Sequence, residues 1–65
     1  MNTLHKDRRT RLTKSLIRRA FTDLLAEKSL QRITVREVCQ RAGVNRSTFY
    51  AHYTDLYDLL TRIEE

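Results

Sequence analysis

Apolar residues recur along the chain at helical spacing, in four stripes parted by short polar breaks. Leu12 and Leu16 lead into Ile17, Ala20, Phe21, Leu24 and Leu25, which fall at i, i+3, i+4, i+7 and i+8. This predicts a first helix from near Thr10 to about Lys28, with Phe21 and Leu25 in the core and Arg18 and Arg19 on or near the opposite face. Ser29 to Arg32 reads as a connection, closed by Leu30 and Ile33 turning inward. Val35, Val38, Cys39 and Ala42 form the second stripe, and Thr34 and Glu37 stand three apart before it, the spacing of a capping box. Gly43, the only glycine, follows at once, where a left-handed residue can end a helix. Val44 anchors the turn, and Asn45 is a good N-cap for a third helix that turns Phe49 and Tyr53 inward. Thr54 or Asp55 then caps a fourth helix bearing Leu56, Leu59, Leu60 and Ile63. No strand alternation competes. The expected fold is all-α: a three-helix, homeodomain-like bundle plus the start of a fourth helix.

Sixty-five residues leave room for one domain with a small core. A chain of this size buries only about 60% of the surface it exposes unfolded, so stability should be marginal. There is no proline. The formal net charge of +5 is unevenly placed. Met1 to Arg19 holds seven basic residues against one acid, Ala20 to Tyr53 five against three, and Thr54 to Glu65 one against four. The chain thus has a basic end and an acidic end, and polyanions are drawn to the first. A single cysteine, Cys39, excludes an internal disulfide and suits a reducing cytoplasm. No signal peptide or membrane-spanning run is visible. His5, Cys39 and His52 lack the spacing of metal ligands, and Asp55 and Asp58 read as charges favouring a helix N-terminus rather than as an acid/base pair. An enzyme is not expected, nor a cofactor.

The centre of the chain carries the most information. From Thr34 to Tyr53 a short capped helix, a glycine turn and a second short helix follow one another. The second helix leaves Arg46, Ser47, Tyr50 and His52 facing outward. That is the pattern of a helix-turn-helix, whose second helix lies in the DNA major groove with its first residues at the base edges.

The run ITVREVCQRAGVNRSTFYAHYTDLYDLL, Ile33 to Leu60, resembles the DNA-binding domain of TetR-family transcriptional regulators. The most specific pieces are Ala42–Val44, Ser47–Tyr53 and Asp58–Leu60, and Ala20–Leu25 of the first helix also fits. The resemblance covers roughly Arg9 to the end. It implies a regulator, most often a repressor, that binds a palindromic double-stranded operator as a homodimer. It also implies that the fourth helix leads into a larger effector-binding and dimerisation domain. The fourth stripe meets no stop signal before Glu65, so the chain reads either as an isolated DNA-binding fragment, the favoured reading, or as an unusually short natural protein. Its parts are a flexible basic arm at 1–9, the helix-turn-helix domain at 10–54, and the start of helix 4 at 55–65.

Arg46, on the first turn of the third helix, has the donors to read guanine O6 and N7 as a pair, and Asn45 suits adenine, although its capping role competes. Ser47 and Thr48 are short partners for a base edge or a phosphate. The resemblance places Arg36 within reach of a base, the Tyr50 phenol on a phosphate, and His52 near another. Lys6, Arg8 and Arg9 suit an arm on phosphates or in the minor groove, or else a solubilising tail. Two positions depart from the family pattern. Many members carry an aromatic where Ala51 stands and a phosphate-seeking lysine where Leu56 stands. The arm is expected to replace part of the lost lysine contact.

Two other readings are available. The amphipathic, basic first helix could lie on a membrane surface, but the later helices supply a partner for its apolar stripe. Helix 4 could instead dock another protein. The donors and acceptors on the outward face of the third helix favour DNA.

Overall fold

The computed structural model describes the backbone of residues 2–64 and the side chains of residues 8–63. Four α-helices, α1 (Asn2–Glu27), α2 (Val35–Ala42), α3 (Arg46–His52) and α4 (Leu56–Glu64), are joined by short turns, with one 3-10 turn at Leu30–Arg32. No strand occurs among the described residues. Met1, Glu65 and the side chains of His5 and Lys6 lie outside them.

The second and third helices have the bounds that their caps predict, and the first does not. α1 begins at Asn2 rather than near Thr10. No proline or glycine stands in that stretch to stop a helix from extending. Its 26 residues account for the long axis of the molecule, 41 Å, since a helix rises about 1.5 Å per residue.

The core is built from all four helices. Ile17, Phe21, Val38, Phe49 and Leu59 are fully enclosed, with Ala20, Leu24, Ile33, Cys39, Tyr53 and Leu56 around them. Leu25 is half-buried at the edge of this core. The lead-in residues stand outside the core: Leu12 is 61% exposed and Leu16 41%. α1 outruns its partners, and among its described side chains burial begins at Ile17.

Two ion pairs fasten α2 across the C-terminal end of α1. Arg41 grips Glu27 through both terminal guanidinium nitrogens, one contact at 3.3 Å, and Lys28 meets Glu37. Neither could be read from the chain, because separations of 14 and 9 residues match no local period. Leu56 and Leu59 bury into the same core. Helix 4 therefore spends much of its apolar stripe within its own domain, leaving Leu60 and Ile63 half-buried. This weakens the reading of helix 4 as a docking face.

Candidate nucleic-acid interface

The site rests on the way α2 ends and α3 begins. At the start of α2, Thr34 Oγ1 accepts from the Glu37 amide at 3.1 Å, while Glu37 Oε1 accepts from the Thr34 amide at 3.1 Å. This capping box satisfies two of the four amides that any helix start leaves unpaired. The Lys28 ammonium holds the Glu37 carboxyl below its ordinary range, and the Thr34 amide adds to the effect.

The turn closes on Cys39. Gly43 lies in the left-handed region, φ 76° and ψ 30°. There it lets its own amide and that of Val44 both donate to the Cys39 carbonyl, at 2.9 and 3.0 Å. The Cys39 thiol points the other way and donates weakly to the Asn45 carbonyl. Burial pushes this thiol above its ordinary pKa, against the pull of Arg46. It packs as a small apolar side chain.

Asn45 starts α3. Its Oδ1 meets the Thr48 amide, the Ser47 hydroxyl and the Thr48 hydroxyl, each at 2.8 Å. A carbonyl oxygen has two lone pairs, so three donors oversubscribe it. One hydroxyl can turn to another acceptor at little cost. The same crowding removes Asn45 Oδ1 as a free acceptor, so a paired contact with adenine would have to break the cap. Its side-chain amide remains a donor.

Beyond the cap, α3 presents Arg46, Ser47 and Tyr50 to solvent, with Thr48 and His52 half-exposed. Phe49 and Tyr53 form the inward face, their rings 5.6 Å apart. Tyr50 is 53% exposed, yet its ring stands edge-on to buried Phe49 at 5.3 Å and 87°. An anchored ring with a free phenol is a pre-positioned donor. Arg36 is exposed on the first turn of α2.

Charge pairing sharpens this face. Among the described residues the ion pairs are Lys28–Glu37, Arg41–Glu27 and Arg62–Asp58. Arg36 and Arg46 take part in none of them, so their guanidinium groups remain available to an anion. Arg9 is exposed on α1 and is thus carried by a different element from the rest. Its carbonyl accepts from the Thr13 hydroxyl at 2.9 Å.

At the start of α4 the capping side chain is that of Asp55, and Thr54 takes part only through its backbone amide. Asp55 Oδ1 accepts from the Asp58 amide at 2.8 Å, and Asp58 Oδ2 from the Thr54 amide at 2.9 Å. Leu56 turns into the core, which accounts for an apolar residue there. Among the described residues there is no group of acids, histidines and cysteines fit for a metal ion, and no helix long and apolar enough to cross a membrane.

No solved structure matches the chain. A family model described as bacterial regulatory proteins, tetR family, matches residues 12–63, which include the whole of α2 and α3. With a match over most of its length, the chain belongs to the tetR family of bacterial regulatory proteins, as a non-enzymatic helix-turn-helix domain that binds DNA in transcription regulation.

Proposed function

We propose that this domain is the sequence-reading part of a repressor, and that it lays α3 in the major groove of a two-fold operator. One observation supports this above others. The exposed face of α2 and α3 carries two arginines, Arg36 and Arg46, outside every described ion pair, beside the hydroxyls of Ser47, Thr48 and Tyr50. Arg46 is assigned a guanine edge, where paired donors give sequence discrimination. Arg36 reads a neighbouring base. Ser47 and Thr48 serve base edges or phosphates, one of them turning away from the crowded Asn45 oxygen. Tyr50 donates to a phosphate, and His52 and Arg9 contact the backbone on either side. Asn45 acts first as the cap that aims the others.

A single domain holds the contacts of one half-site, so the working regulator is a homodimer in the cytoplasm. The family membership favours repression.

Selection from a random duplex pool, followed by titration at several salt concentrations, tests the reading. The domain should enrich a defined half-site, with affinity falling as salt rises by a log–log slope of about −0.9 per phosphate neutralised. Arg46→Ala should cost about 1–3 kcal/mol on that site and relax the preference at one position. If Arg36→Ala and Arg46→Ala both leave affinity and preference unchanged, the assignment is wrong.

A further inference from the structure

Away from the α2–α3 face, an open groove of about 500 Å³ runs along α1 beside the end of α4. Arg11, Lys14, Arg18 and Arg19 line it, and Ile63 is its apolar contribution from α4. The spacing of the cations is helical. Arg11 and Lys14 are three apart, Lys14 and Arg18 four, so consecutive cations lie on one face and repel one another. None of the four joins a described ion pair. Ser15 contributes a hydroxyl to the same wall. Thr22 is tied back, donating to the Arg18 and Arg19 carbonyls at 2.9 and 3.0 Å, which leaves its oxygen facing the groove only as an acceptor.

We infer that this groove is a binding site for a small phosphate-bearing anion, separate from the DNA-reading face. Guanidinium groups match phosphate oxygens two at a time, and a concave wall lets several cations converge on one ligand. From Arg11 to Thr22 the wall extends about 16 Å, enough for several anionic groups in a row. Ile63 and the aliphatic stems of the arginines and lysine form an apolar lining that suits the non-phosphate part of such a ligand. A bound anion relieves the repulsion along α1, so its binding free energy adds to the stability of the fold. The inference does not rest on the DNA reading, because no residue of this lining belongs to the α2–α3 set.

The test is a titration of the isotope-labelled protein with inorganic tripolyphosphate, without DNA and at constant ionic strength. Amides from Arg11 to Thr22 and the Ile63 methyls should shift together, and the melting temperature should rise with ligand concentration. Arg18→Gln should weaken binding by at least about tenfold. Arg32→Gln, which removes one exposed charge outside the groove, should leave it unchanged. Equal weakening by both variants would mean diffuse attraction and overturn the site. So would an absence of shifts, or shifts in the groove produced only by duplex DNA, which would make these cations part of the DNA footprint.

Discussion

The Cys39 thiol stands 3.8 Å from the carbonyl oxygen of Asn45, so the middle of α2 reaches across the turn to the residue that starts α3. The Cys39 carbonyl meanwhile receives the amides of Gly43 and Val44. One residue thus closes the turn on both sides and ties together the two helices of the helix-turn-helix. Burial disfavours the thiolate, which is the reactive form. Modification by a thiol reagent in native buffer should therefore be slow, and fast once the chain is unfolded. Cys39→Ala should cost about 1 kcal/mol, measured by urea denaturation. Equal reaction rates in native and unfolded protein would contradict the packing described.

Gly43 gives a cleaner test of the turn. A Cβ built there meets nothing within 4 Å, so steric clash is removed from the problem. What remains is the left-handed backbone, which costs an ordinary residue about 1–2 kcal/mol. Gly43→Ala should destabilise by about that amount. Gly43→Asn should cost less, since asparagine tolerates this conformation better. The order of the two denaturation midpoints is the check.

Glu27, Glu37 and Asp58 are all held below their ordinary ranges, chiefly by Arg41, by Lys28 and by the Thr54 amide respectively. A carboxyl that is more acidic in the folded state stabilises the fold above its unfolded pKa. That contribution is lost as pH falls through the folded value. The melting temperature should therefore drop as pH falls below about 4.5, the ordinary glutamate value. All three carboxylates keep contact with solvent, so each effect is small and weakens with salt. Glu37→Gln should flatten part of the acid slope; an unaltered slope would show that Lys28 does not hold this carboxyl.

Tyr50→Phe separates ring from phenol. The edge-on contact with Phe49 survives, so the stability of the fold should not change. DNA affinity should fall by about 1 kcal/mol, roughly fivefold, with the salt slope unaltered because no charge is lost. Anisotropy measured at two salt concentrations reads both quantities.

Leu12 and Phe21 share the apolar pattern of α1 but not its burial. Leu12→Ser should move stability by less than about 0.5 kcal/mol. Phe21→Ala should cost about 3–5 kcal/mol, a large part of what a domain of this size possesses. Similar costs at the two positions would show that something covers the N-terminal half of α1.

Much of this protein was decided locally, and local decisions are legible in sequence. The Thr34–Glu37 box, Gly43 and the Asn45 cap each act within a few residues, so the bounds of α2 and α3 follow from residue type and spacing alone. The inward set Val38, Phe49 and Leu59 follows from helical period. The resemblance carried by Ala42–Val44 and Ser47–Tyr53 pointed to the tetR family on the same stretch that the family model covers. Tertiary structure decided what period cannot. Leu12 and Ile17 look alike in the apolar pattern, but only the reach of the other helices along α1 makes one exposed and the other buried. The pairing of Lys28 with Glu37 and Arg41 with Glu27 depends on how α2 crosses α1, and it determines which cations remain available. The groove between α1 and Ile63 has the same origin: groups that the chain spaces far apart are brought together by packing.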